Sequence, residues 1–91
     1  ESKIGTGSML VPPVLIGDGV VIGERSVIGP NVVLGNDCRI GPYARLSETI
    51  LWDRCRVSEG VHLNNCIFGY GLELGSRHIL YEAVMNRVGV V

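Results

Sequence analysis

A bulky apolar residue recurs at a nearly constant spacing along the whole chain, and this spacing limits the folds that the chain can adopt. The spacing is six residues from Ile4 to Leu46, and it shortens to five after Leu46, Leu63 and Leu80, which are themselves evenly spaced. The series consists of Ile4, Leu10, Ile16, Ile22, Ile28, Leu34, Ile40, Leu46, Leu51, Val57, Leu63, Phe68, Leu74, Leu80, Met85 and Val91. Because the shortening recurs at every third step, the pattern predicts a three-sided coil. The early turns have three six-residue sides, and each later turn has one side shortened to five.

The residues around each member of this series alternate as in a β-strand. The residue two positions earlier is small in most repeats, as at Ser26, Cys38 and Ala44, whereas Leu72 and His78 depart from the rule. Since side chains alternate between the two faces of a strand, both positions are expected to point inward and the residue between them outward. Eight glycines directly follow the bulky residue, where a corner is expected to need permissive backbone dihedrals.

Other architectures do not accommodate a six-residue period. Residues six apart on an α-helix are rotated by about 240° and form no stripe, and a flat parallel sheet needs crossovers of about a dozen residues. The remaining fold is all-β: a single-stranded parallel β-helix of about five triangular coils, stacked at roughly 4.8 Å per coil. It forms one domain over residues 1–91. Aromatic residues make up only 5% of the chain, so Ile, Leu and Val must fill the core.

Charge and composition argue against several classes of partner and site. Eight basic and nine acidic residues give a net charge of −1, so neither nucleic acid nor a membrane surface is expected to bind. No apolar run approaches the roughly 18 residues that span a membrane. The start of the chain does not resemble a signal peptide, so a cytoplasmic location is predicted. The three cysteines contain no CxxC pair, which argues against a disulfide framework and against a zinc site.

The outward positions form three columns, one on each side of the coil. Two columns are mixed in character, one with Met9, Val27, Arg45, His62 and Ile79 and the other with Val21, Arg39, Arg56, Glu73 and Val90. The third is aliphatic in every coil, and Trp52 is expected to project from a corner beside it. The predicted interface residues are Leu15, Val33, Ile50, Trp52, Ile67 and Val84. We predict that another subunit, another domain or a helix covers this column, because exposed apolar patches of that size are uncommon on monomers.

No catalytic, cofactor or metal site is assigned from the residues themselves. His62 is the one candidate for a general base. The alternative interpretation is that His62 is an ordinary solvated surface histidine. His78, at an inward position, is expected to be a hydrogen-bonded corner residue, and two histidines do not suffice for a three-histidine zinc site. Cys38 and Cys55 are expected to be packed thiols one coil apart. The Gly69-Tyr70-Gly71 segment lacks the strand-to-helix setting of a dinucleotide loop and is interpreted as a corner.

Two stretches of the sequence resemble known proteins. The Ile-Gly steps between Gly17 and Gly41 resemble hexapeptide-repeat proteins, a class that includes acyltransferases, carbonic anhydrases and sugar nucleotidylyltransferases. The stretch 47–75 contains Thr49-Ile50-Leu51-Trp52-Asp53 and Asn65-Cys66-Ile67-Phe68-Gly69. It resembles the C-terminal β-helix of sugar-1-phosphate nucleotidylyltransferases, the group of mannose-1-phosphate guanylyltransferase and glucose-1-phosphate thymidylyl- or uridylyltransferase. This resemblance spans most of the chain and implies that the β-helix is left-handed.

The resemblance also implies a role without chemistry of its own. In that family the nucleotide and sugar phosphate bind a separate N-terminal α/β domain with a Gly-rich loop and metal-binding acids, none of which is found in this sequence. The chain is therefore expected to be a C-terminal fragment of a longer enzyme, with Mg²⁺ bound to the parent catalytic domain and no cofactor here. Its implied role is structural or regulatory, within a homo-oligomer or against its own N-terminal catalytic domain. The alternatives are an acyltransferase that uses acyl-CoA with His62 as base, and a non-catalytic hexapeptide scaffold protein.

Overall fold

The computed structural model describes the side chains of residues 2–85 and the backbone of residues 2–86 and 89–90. This part of the chain forms 16 strands of two or three residues and no helix. The strands are β1 (Lys3–Ile4), β2 (Met9–Leu10), β3 (Val14–Ile16), β4 (Val21–Ile22), β5 (Val27–Ile28), β6 (Val32–Leu34), β7 (Arg39–Ile40), β8 (Arg45–Ser47), β9 (Ile50–Leu51), β10 (Arg56–Val57), β11 (His62–Asn64), β12 (Ile67–Phe68), β13 (Glu73–Leu74), β14 (Ile79–Tyr81), β15 (Val84–Asn86) and β16 (Gly89–Val90).

These strands form three sheets, in which each strand pairs with the strand that follows three places later in the chain, except that β16 pairs with β15. The sheet orders are β1-β4-β7-β10-β13, β2-β5-β8-β11-β14 and β3-β6-β9-β12-β15-β16. The pairs are parallel except for β15 with β16, where Met85 lies opposite Val90 in an antiparallel pair. This arrangement confirms the predicted β-helix of about five coils with three sheet walls, and it is consistent with the left-handed form.

The register confirms the change in coil length. Leu10 lies opposite Ile28 and Ile28 lies opposite Leu46, so that three full six-residue sides separate the members of each pair. Leu46 lies opposite Leu63, and this coil is one residue shorter. The residue is lost at the corner that leads into β9, where a single residue, Glu48, stands between Ser47 and the inward Thr49. Removing a corner residue shortens the coil and leaves the strands in phase.

The predicted inward residues of the central coils form the core. The bulky inward residues from Ile22 to Phe68 are 0–3% exposed. The prediction is wrong at the start of the chain, where Ile4 is 46% and Leu10 is 37% exposed, because the first coil has a neighbouring coil on one side only. Leu80 is partly buried at the opposite end, and Val91 lies outside the described residues.

The small inward positions of the central coils, from Val20 to Cys66, are also buried, and their polar groups bind backbone carbonyls at the corners. Ser26 Oγ donates a hydrogen bond to the carbonyl of Gly41 at 3.0 Å, and Thr49 Oγ1 donates to that of Ser47 at 2.7 Å. Within the described residues, every buried side-chain nitrogen or oxygen has a partner. The core therefore accepts polar side chains at corners without leaving an unsatisfied group.

All three cysteines lie in this core as free thiols, in agreement with the expected packing of Cys38 over Cys55. Cys38 Sγ and Cys55 Sγ donate to the carbonyls of Trp52 and Gly69 at 3.1 and 3.0 Å. The side-chain hydrogen bond with Cys55, together with burial, raises the pKa of the Cys38 thiol. The stacked thiols therefore serve packing, because both cysteines are fully buried.

Most of the glycines that follow the bulky residues are required for a reason other than the predicted one. Of those eight, only Gly29 has a positive φ, whereas the left-handed conformation falls on residues such as Arg25 and Asp37, three positions before the bulky residue. A Cβ atom added to Gly41 would lie 2.6 Å from the backbone nitrogen of Glu59 in the next coil. Glycine is thus selected by the close approach of the neighbouring coil rather than by its dihedral freedom.

Gly41→Ala is expected to destabilise the fold by about 1–3 kcal/mol, because the backbone of the next coil must move to accept the methyl group. Gly75→Ala is the matched control, since its Cβ would meet His78 Cε1 at an ordinary 3.5 Å. The measurement is urea unfolding followed by circular dichroism. Equal losses of unfolding free energy in the two variants would contradict the close-approach explanation.

The three thiols are expected to resist a water-soluble disulfide reagent such as Ellman's reagent while the chain is folded, because each cysteine is fully buried. Reaction should become rapid after unfolding in urea, when all three react. The measurement is absorbance of the released thiolate against time. Stoichiometric labelling of the folded chain within the mixing time would show that the core opens readily.

Candidate functional site

The outward aliphatic column of the third sheet runs through five coils, and we call it the apolar wall. It consists of Leu15, Val33, Ile50, Ile67 and Val84, whose side chains are 37–69% exposed. Each residue pairs in register with the next, so the column runs without interruption through five coils. The structure thus brings these five predicted residues together on one surface, and their burial by a partner stays a prediction.

Two aromatic side chains stand at the corner beside the apolar wall. Trp52 directly follows β9 and is 58% exposed, as expected for a projecting ring. Tyr70 projects from the same corner one coil later and was missed by the sequence reasoning, which interpreted its segment only as a corner. The coil register could have identified Tyr70 as a second projecting ring. Leu51 pairs with Phe68, so Tyr70 stands opposite Asp53, the neighbour of Trp52.

The two rings border shallow depressions on the apolar wall. One, of about 280 Å³, lies between Trp52, Tyr70, Val33 and Ile50. The other, of about 350 Å³, lies between the same rings and Ile67, Val84 and Met85. Both are large enough to receive an apolar side chain of a partner, and buried aromatic anchors of this kind supply much of the energy of interfaces.

Contacts along this corner hold the aromatic residues in place. The guanidinium of Arg54 lies 5.6 Å from the centroid of the Tyr70 ring, within range of a cation–π attraction. Asp53 Oδ1 accepts a hydrogen bond from the backbone N–H of Asn36 at 2.8 Å. Asn36 Oδ1 in turn accepts one from the backbone N–H of Asp18 at 2.8 Å. Successive corners are therefore tied together, and Trp52 projects from a fixed backbone.

His62 lies on the wall formed by the second sheet, between Arg45 and Ile79 in the neighbouring coils. It borders a depression of about 300 Å³ whose lining includes Ser47 and Asn64. Asn64 Nδ2 donates to Ser47 Oγ at 2.7 Å. Within the described part of the chain, His62 makes no hydrogen bond that would orient its ring. A general base is normally oriented by a third group, and the role of His62 as a base stays a prediction.

His78 is exposed and not buried, although its position was predicted to be inward. Its side chain is exposed, although Nδ1 lies 3.0 Å from the carbonyl oxygen of Gly75 and donates to it when it carries the proton. The equivalent positions of inner coils hold Ala44 and Val61, which are fully buried and leave no room for an imidazole ring. In the last coil His78 has a neighbouring coil on one side only, and the expected corner hydrogen bond forms there.

Metal-binding clusters and membrane-spanning helices are both absent from the described part of the chain. No group of three or more His, Cys, Asp or Glu residues is arranged to hold a metal ion within residues 2–85. In the same part of the chain, no helix has the length and apolar character needed to cross a bilayer.

Comparison with solved structures finds the same fold in acetyltransferases. A histidine-to-alanine mutant of GDP-perosamine N-acetyl transferase from Caulobacter crescentus, in complex with CoA and GDP-perosamine, is 17% identical with a TM-score of 0.56. A histidine-to-asparagine mutant of perosamine N-acetyltransferase from the same organism is 21% identical with a TM-score of 0.39. Each alignment covers 98% of this chain and 56% of the acetyltransferase, so this chain spans about half of their length. At 17% identity the likeness to the first of these shows the fold alone.

Comparison with protein families and with curated proteins gives one match. No curated protein matches the sequence. The GMPPB C-terminal domain family matches residues 2–88, which is nearly the whole chain. This match confirms the resemblance to the C-terminal β-helix of sugar-1-phosphate nucleotidylyltransferases. The chain belongs to the GMPPB C-terminal domain family.

Proposed function

We propose that this chain is the structural and assembly domain of a cytoplasmic nucleotidylyltransferase that forms nucleotide sugars from a sugar 1-phosphate and a nucleoside triphosphate. Catalysis would take place in a separate α/β domain with bound Mg²⁺, and the β-helix would contact that domain or a second subunit through the apolar wall. The observation that carries the proposal is the uninterrupted aliphatic column on a chain of this C-terminal family.

The geometry of the apolar wall suits a broad contact better than a small ligand. Ladder hydrogen bonds to the coils above and below hold its residues, and only short corners join the strands, so the surface is rigid and nearly flat. Rigid surfaces lose little conformational entropy on binding. Burying an apolar surface is worth roughly 25 cal/mol per Å². Its depressions, of 280 and 350 Å³, are small for ligand pockets but fit single side chains of a partner.

The double variant Ile50→Glu with Ile67→Glu is expected to abolish the association made by the apolar wall, because burying two carboxylates costs several kcal/mol. The measurement is sedimentation velocity of the protein that contains this chain with its natural flanking sequence. Met9→Glu with Ile79→Glu places the same charges at exposed positions of the second sheet and should leave the assembly intact. If the Ile50→Glu, Ile67→Glu variant keeps both its assembly and its stability, the proposal is contradicted.

Acyl transfer is the second candidate, because His62 and Arg45 border a depression whose lining also includes Ser47 and Asn64. The lack of a described partner that orients His62 favours the assembly role. We therefore expect no thiol release above background when the chain is incubated with acetyl-CoA and amino sugars. The measurement is colorimetric detection of free coenzyme A thiol. Turnover that disappears in His62→Ala, with the fold unchanged by circular dichroism, would replace the assembly role with acyl transfer.

A further inference from the structure

Charged residues are distributed unevenly around the three walls. The two corners that flank the apolar wall carry five of the eight described acidic residues and one of the seven described basic residues. The acidic residues are Asp18, Asp37 and Asp53 at one corner and Glu48 and Glu82 at the other, and the basic residue is Arg54. Elsewhere the balance is reversed, with three acidic and six basic residues. The margins of the apolar wall are therefore acidic on both sides.

The positions of these carboxylates place them close to any partner on the apolar wall. Glu48 and Glu82 are exposed and stand two residues before Ile50 and Val84, at corners with positive φ. On the opposite margin, the Asp53 carboxylate is held at the corner by its hydrogen bond from Asn36. Within the described residues, neither Glu48 nor Glu82 forms an ion pair that would neutralise its charge.

The acidic margins disfavour a contact between two copies of the apolar wall. In a face-to-face pair, any two-fold axis lies in the contact plane, so each acidic margin of one copy meets an acidic margin of the other. Like charges closer than the Debye length, about 8 Å at physiological ionic strength, repel with little screening. A partner with basic margins would be attracted, and like-charge juxtaposition would exclude wrong partners.

We infer that the apolar wall receives a partner surface made of an apolar strip flanked by lysine or arginine side chains, and not the apolar wall of a second copy. This inference rests on the proposed assembly role and specifies the chemistry of the partner. Attraction between the margins sets the orientation and the association rate, while the aliphatic column and the depressions beside Trp52 and Tyr70 supply the buried area.

Two synthetic amphipathic peptides test this inference. Both carry the same strip of leucine and isoleucine over about 16 helical residues, which span roughly the height of five coils. Lysine flanks the strip in one peptide and glutamate in the other. The affinity of the labelled peptides for the full 91-residue chain is measured by fluorescence anisotropy, while Trp52, its single tryptophan, reports contact through its emission.

The lysine peptide is expected to bind about tenfold or more tightly than the glutamate peptide at low salt and to shift the Trp52 emission to shorter wavelength. The difference should shrink as the salt concentration rises. Glu48→Lys with Glu82→Lys should remove or reverse the preference. The matched control is Glu24→Lys with Glu59→Lys, the same change of charge at the corner between the other two walls, which should preserve it.

The possible outcomes separate this inference from the assembly role. Equal affinities of the two peptides, or equal responses of the two charge variants, would overturn the inference, because the attraction would then be non-specific. A dimer of the chain that Ile50→Glu dissociates would also overturn it while supporting assembly through the apolar wall. If neither peptide binds and substitutions in the wall leave the assembly unchanged, both proposals fail.

Discussion

The stacking of each residue on its equivalent one coil away is the constraint on which the rest of the structure depends. Backbone hydrogen bonds join successive coils closely, as between the Gly23 N–H and the Ile40 carbonyl at 2.7 Å and between the Gly41 N–H and the Val57 carbonyl at 2.6 Å. Because each coil binds only its neighbours, stability is a sum of local interfaces between coils. Glycine at the corners, small residues at the inward corner positions and aliphatic residues along the strands all follow from this spacing.

The same stacking turns a short sequence repeat into extended surfaces. Each outward position recurs once in every coil, so aliphatic residues at that position form a column along the whole stack of coils. The residues at the adjoining corners recur in the same way, and this places acidic groups such as Glu48 and Glu82 along the margin of the apolar wall. Recognition by this domain would thus come from whole columns and not from a long binding loop.

The chain belongs to the GMPPB C-terminal domain family, whose model matches residues 2–88. The fold resembles that of an acetyltransferase solved in complex with CoA and GDP-perosamine, yet a fold of this kind supports different functions through different surface residues. The apolar wall and its acidic margins are the features that give this β-helix an individual surface.

The amino-acid sequence by itself determined the coil, the register and the wall residues. The six- and five-residue spacings fix which side chains share a face, since alternation along a strand is a local property of the backbone. For this reason the burial of Ile22 and Phe68 and the alignment of Val33 with Ile50 could be predicted from spacing alone.

The tertiary structure alone decided the features that depend on contacts between coils or on the ends of the stack. The sequence period does not reveal that Gly41 must avoid the backbone of Glu59, because that distance arises only when two coils are packed. The exposure of Ile4 and of His78 follows from having fewer neighbouring coils than the central repeats. These properties depend on the distance and the free space between residues that are neighbours in three dimensions. A periodic pattern shows which residues are neighbours, but it shows neither how far apart they lie nor how much space is available.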